Sequence, residues 1–71
     1  MDLYFVDKTA QPNDEHEVHT GLCVMLPAIE NRLPLGAFND CIDAVHEAKK
    51  LYPNADGCFY CCRECSRLWR E

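Results

Sequence analysis

With 71 residues, six cysteines and a formal charge of -5, the chain is sized for one small domain, and a domain this small buries only about 60% of its unfolded surface. Apolar burial set against about 1.5 kcal/mol of ordering entropy per residue comes out near zero at this length, so a covalent or metal crosslink is expected, with the cysteines as its source. The acidic balance argues against a general nucleic-acid binder, which needs a basic surface, and no apolar run approaches the roughly 20 residues that cross a bilayer.

The first residues, Met1-Asp2-Leu3-Tyr4-Phe5-Val6-Asp7, have no basic start, and acids flank a short apolar run. No export signal is read there, and the expected location is cytoplasmic. In that reducing compartment thiols serve more often as metal ligands or redox groups than as structural disulfides. Residues 3–6 are aromatic and β-branched and read as a strand. Residues 9–15 include Gln11-Pro12-Asn13-Asp14-Glu15, a polar loop by its turn chemistry. A short second strand is expected at Glu17-Val18-His19. Gly21 and the prolines at 27 and 34 then break regularity, and residues 33–38 are expected to be partly extended.

The pattern changes at Asn39. Either Asn39 or Asp40 suits an N-cap, and Asp40 and Asp43 suit the positive end of a helix. Cys41, Ala44, Val45, Ala48 and Tyr52 recur at helical spacing, so an amphipathic helix is expected over about residues 39–51, with Cys41 a small buried hydrophobe on its apolar stripe and His46 facing solvent. Pro53-Asn54-Ala55-Asp56-Gly57 ends it in a turn. Cys61, Cys65 and Leu68 again follow helical spacing and suggest a short C-terminal helix carrying Trp69. The fold class expected is α+β: a single domain over residues 1–71, with a small antiparallel sheet of two or three short strands, a central amphipathic helix and a short C-terminal helix joined by a Cys-rich knuckle.

The chemistry concentrates in two pairs. His19-x3-Cys23 precedes the amphipathic helix and Cys58-x2-Cys61 follows it, with Gly57 beside the second pair. Structural zinc takes tetrahedral N and S donors from two separated pairs of this kind, and a Cys-x2-Cys knuckle spans one edge of the tetrahedron. Two other readings stand beside Zn²⁺ for these cysteines: disulfides, and buried or reactive free thiols. The cluster Cys58, Cys61, Cys62, Cys65 also offers overlapping choices. On a helix starting near Cys61, the i, i+4 residues Cys61 and Cys65 share a face and Cys62 turns away, which makes Cys65 the possible substitute ligand. His16 and His19 fall on opposite faces of an extended strand, and His16 reads as a solvated loop residue.

This order of features resembles the Ada-type metal-binding domain of alkylation-repair proteins: a short strand, a His- or Cys-x3-Cys pair, Phe38 leading into Asp43-Ala44, then Gly57-Cys58-x2-Cys61. The likeness covers roughly residues 17 to 62. It implies a zinc site at His19, Cys23, Cys58 and Cys61. The Ada domain uses four cysteines and transfers a methyl group from a DNA phosphotriester to one of them. Here His19 stands at the first cysteine position and no basic DNA-binding surface adjoins the site, so alkyl transfer is not implied. The chain also resembles small uncharacterised bacterial Cys-rich proteins that pair a His-x2-His start with a cysteine-rich end, a likeness that implies no activity.

Arg63, Arg67 and Arg70 would line one face of the C-terminal helix and form a possible anion-contact face, or a solvated face balanced by acids. No Gly-rich phosphate loop, nucleophile elbow or His-Glu-x2-His helix is present. The function expected is a non-enzymatic structural-zinc module that docks an unidentified protein partner, with no membrane role. The alternative is thiol-based redox or metal handling by Cys58, Cys61, Cys62 and Cys65.

Overall fold

The computed structural model describes residues 1–66. Four strands form one sheet: β1 (Asp2–Asp7), β2 (His16–Thr20), β3 (Arg32–Phe38) and β4 (Ala55–Gly57), with a single α-helix, α1 (Cys41–Ala48), between β3 and β4. Two 3-10 turns, Ile29–Asn31 and Arg63–Cys65, complete the described chain. The α+β class expected from sequence stands. The sheet differs from the expected one: it has four strands in the order β3-β1-β2-β4, and it is mixed, because β2 and β4 run parallel.

The central hairpin follows from alternation. Tyr4, Val6 and Val18 point to one face and are buried, and the register sets Val6 opposite Val18. Phe5 lies opposite His19, so these two share the other face. Strand β3 adds to the free side of β1, with Tyr4 opposite Gly36 and Phe5 opposite Pro34. Leu35 is the extra residue of that bulge, and Gly36 takes the positive φ, +115°, that the kink demands.

Helix α1 covers the face carrying Tyr4, Val6 and Val18 with Cys41, Ala44, Val45 and Ala48, while His46 is exposed. Asp40 is the N-cap: its Oδ1 accepts from the Asp43 backbone N–H at 3.1 Å. The helix is shorter than the expected residues 39–51. Its last turn loosens into bonds from Lys50 N–H to Glu47 O and from Leu51 N–H to Ala48 O, which carry the chain round toward β4. Tyr52, expected on the helical stripe, sits beyond the helix and stacks on His16 with ring centroids 3.8 Å apart.

Over its described part, residues 61–66, the expected C-terminal helix is also corrected. Residues from Cys61 form turns and then the 3-10 turn, with Cys62 N–H bonded to Cys58 O and Cys65 N–H to Cys62 O. Trp69 lies outside the described residues. Cys61 and Cys65 have helical spacing, but the tight turn out of β4 leaves no straight run between them for an α-helix to use it.

Gly57 is the point of closest approach. A Cβ built there would fall 2.5 Å from the Cys62 carbonyl oxygen and 2.7 Å from Cys65 Cβ. Because the obstacle includes backbone, relief would require moving the whole cysteine-rich turn. Gly57→Ala is therefore expected to cost about 1–3 kcal/mol of stability in urea denaturation, and an unchanged midpoint would show that this turn is not packed as described.

Candidate metal centre

The parallel pairing decides what meets what. His16 pairs with Ala55, Glu17 with Asp56 and Val18 with Gly57, so β2 and β4 end at the same edge of the sheet. The next residues along the two strands are His19 and Cys58, and the Cys58 N–H bonds Val18 O at 2.9 Å. After β2 the chain turns tightly, with Cys23 N–H bonded to Thr20 O and Leu26 N–H to Cys23 O, which folds Cys23 back toward His19. After β4 the Cys58–Cys61 turn brings Cys61 to the same place.

His19, Cys23, Cys58 and Cys61 thus each offer one donor atom, and all four atoms lie within 4.8 Å of one another. These four could hold a metal ion. The Cys23 and Cys58 sulfurs are 3.8 Å apart, the edge length of about 3.8 Å that follows from Zn–S bonds of about 2.3 Å in a tetrahedron. His19 Nδ1 stands 4.0 Å from Cys61 Sγ. No disulfide joins any of the six cysteines.

Three backbone N–H groups aim at sulfur: Thr20 at Cys61 (3.3 Å), Met25 at Cys23 (3.4 Å) and Tyr60 at Cys58 (3.4 Å). Donors placed on each of the three sulfurs suit thiolates, whose charge they help to spread. His19 is almost wholly buried, and its Nε2 has no hydrogen-bond partner. That nitrogen lies 3.7 Å from the Glu17 carboxylate, two residues back on the same strand face. A ligating histidine characteristically directs its second nitrogen at such a carboxylate. Burial, with Asp7, Asp56 and Glu15 adding to it, holds Glu17 above the usual carboxylate range.

The remaining sequence candidates separate from this group. Cys65 does not join it. The 3-10 turn swings Cys65 toward α1, where it forms a second group with Cys41 and Glu64. Cys62 is fully buried in the core. Cys41 is buried on the apolar stripe as expected, yet it also lies 3.3 Å from Cys65 Sγ, a proximity that a separation of 24 residues concealed. His16 is not a solvated loop residue: it opens β2, and its Nδ1–H donates to Asp7 O at 2.8 Å. Arg63 is exposed over the Phe59 ring, 5.3 Å from its centroid. Arg67 and Arg70, the other members of the expected anion-contact face, lie outside the described residues. No helix among the described residues is long and apolar enough to cross a membrane.

No family model, no curated protein and no solved structure matches the chain.

The protonation states set how a metal would be taken up. The hydrogen bond with Cys61, then burial, pushes the Cys58 thiol up to about 11. For Cys61 the Cys58 hydrogen bond lowers the value, but neighbouring Cys62 and burial outweigh it and the thiol stands at about 12. Both are therefore protonated at neutral pH in the metal-free protein, whereas a metal takes thiolates and must expel those protons. Metal affinity is expected to fall by at least about 100-fold for each unit that the pH is lowered below 7, Cys58 and Cys61 alone taking back two protons. Competition with a chelator of known proton dependence at pH 6 and 7 reads this directly, and an affinity insensitive to pH would mean that Cys58 and Cys61 are not ligands.

Proposed function

We propose that the chain is a structural-zinc module, non-enzymatic, whose metal-held edge docks a protein partner. One observation carries the zinc assignment: a nitrogen and three sulfurs from two distant chain segments converge within 4.8 Å. Three soft sulfurs and an imidazole select Zn²⁺ over hard cations, and four protein donors leave the ion no open position for catalysis. His19, through the ring nitrogen facing Cys61, and Cys23, Cys58 and Cys61 are the proposed ligands. Glu17 would orient His19 by accepting from Nε2. The likeness to the Ada-type domain then extends to ligand spacing and carries no alkyl transfer.

The docking part rests on the loop that the metal would hold. Leu22 and Val24, either side of Cys23, are 91% and 89% exposed, and Leu3 and Met25 are exposed as well. A small acidic domain that presents so much apolar surface around one site has the chemistry of a protein contact. The alternative of redox chemistry by Cys58, Cys61, Cys62 and Cys65 as one unit is disfavoured by their division between two groups.

Native mass spectrometry under reducing conditions, with circular dichroism before and after chelation, tests the proposal. The expected result is one zinc per chain, lost together with the folded spectrum, and Glu17→Gln should weaken zinc about 10- to 100-fold while leaving stoichiometry intact. A chain that stays metal-free and folded would overturn the structural-zinc assignment.

A further inference from the structure

Two cysteines outside the proposed zinc set lie together at the opposite side of the cysteine-rich turn. Cys41 opens α1 and Cys65 closes the 3-10 turn Arg63–Cys65. Their sulfurs are 3.3 Å apart, and the residues are 3% and 8% exposed. The Cys41 thiol donates to the Glu64 carboxylate, which is itself exposed. An open groove of about 480 Å³ reaches this corner, with Val45, His46, Lys49, Asp56, Glu64 and Cys65 among its walls.

We propose that Cys41 and Cys65 are a dithiol site that exchanges with small disulfides of aliphatic thiols, Cys65 reacting first from the groove and Cys41 completing the bond. The spacing favours this chemistry over a second metal. The 3.3 Å separation is shorter than the roughly 3.8 Å edge of a tetrahedral thiolate site, and the third donor, Glu64, lies out in solvent. Closing to a disulfide of about 2.05 Å needs the sulfurs to approach by only about 1.3 Å.

The exchange balances as two steps. Cys65, as thiolate, attacks one sulfur of the small disulfide; that S–S bond breaks, a mixed disulfide forms on Cys65, and the first small thiol leaves with the proton Cys65 gave up. Glu64 then takes the Cys41 proton, and the Cys41 sulfur attacks Cys65 Sγ. The mixed disulfide breaks, the Cys41–Cys65 bond forms, and the second small thiolate collects the proton from Glu64. Two protein thiols are oxidised by two electrons, and one small disulfide is reduced to two thiols. Burial and Glu64 hold the Cys41 thiol well above its ordinary range, in keeping with a thiol that reacts only when that carboxylate accepts its proton.

The test uses the full chain, reduced and loaded with zinc, exposed to glutathione buffers of increasing disulfide content, with intact mass, peptide mapping after alkylation and zinc content recorded. The expected result is loss of two hydrogens, mapped to Cys41–Cys65, reversed by reduced glutathione, with zinc retained. Cys41→Ser should stop the reaction at a glutathione adduct on Cys65, Cys65→Ser should show no adduct on Cys41, and Glu64→Gln should prolong the mixed disulfide about tenfold or more. A bond that forms instead among Cys23, Cys58 and Cys61, an adduct on Cys41 in the Cys65→Ser chain, an unreactive protein, or a second metal held by Cys41 and Cys65 would each overturn the proposal. The mapping on the unsubstituted chain decides even where a variant fails to fold. It remains readable if no zinc binds, so failure of the structural-zinc assignment and failure of this one are distinguishable.

Discussion

The parallel pairing of β4 with β2 is the constraint on which the rest depends. In an antiparallel pair the end of β4 would lie beside the start of β2, and Cys58 would emerge near His16, which is engaged with Asp7 and Tyr52. In the parallel pair both strands end at one edge, and His19 and Cys58 leave it side by side. Parallel pairing needs a long crossover. Strand β3 and helix α1 supply it, and α1 also covers the face of the sheet that the crossover passes.

The core that this arrangement closes is thin. Its buried members are Tyr4, Val6, Val18, Val45, three alanines and four cysteines, with no fully buried leucine, isoleucine or phenylalanine among the described residues. Alanine and cysteine remove little apolar area from water compared with those larger side chains. A chain with so modest an apolar gain has to find stability elsewhere. Zinc bound by zinc-finger peptides contributes about 10–16 kcal/mol at neutral pH, against about 2–4 kcal/mol for a typical disulfide. The same thin core explains why His19 ranks among the largest fully buried side chains: the site is part of the interior, not an attachment to it.

What the sequence disclosed follows the length of the pattern that carried it. The aromatic and β-branched run at residues 3–6, the capping residues Asn39 and Asp40 and the stripe from Cys41 to Ala48 are local signals and became β1, the N-cap at Asp40 and α1. The His19, Cys23, Cys58 and Cys61 group was legible because an x3 pair and an x2 knuckle both have metal-ligand spacing. Strand β4 was not. Ala55-Asp56-Gly57 has no strand propensity of its own, and the segment is extended because it pairs with β2 across a long crossover. The C-terminal residues misled in the opposite sense: Cys61 and Cys65 have helical spacing, but the turn anchored by Gly57 spends those residues on reversing the chain. Cys41 was hidden because a cysteine on an apolar stripe looks the same whether or not another sulfur waits across the core.

The doubled motif Cys58-x2-Cys61, Cys62-x2-Cys65 gains its meaning from that reversal. Adjacent residues on a tight turn point in different directions, so Cys61 is delivered to the His19 group while Cys62 enters the core and Cys65 meets α1. One segment of eight residues thereby contributes to both groups, and the two are mechanically joined, because Cys61 and Cys62 share a peptide bond. A covalent link from Cys65 to Cys41 would tie the far end of this segment to α1. With a metal at Cys58 and Cys61 as proposed, the near end would also be fixed, and the segment would be clamped from both sides. Were a metal held at one group and a disulfide closed at the other, the two would be coupled through this turn and through Cys62, whose thiol interacts with Cys61 on one side and with Cys41 on the other.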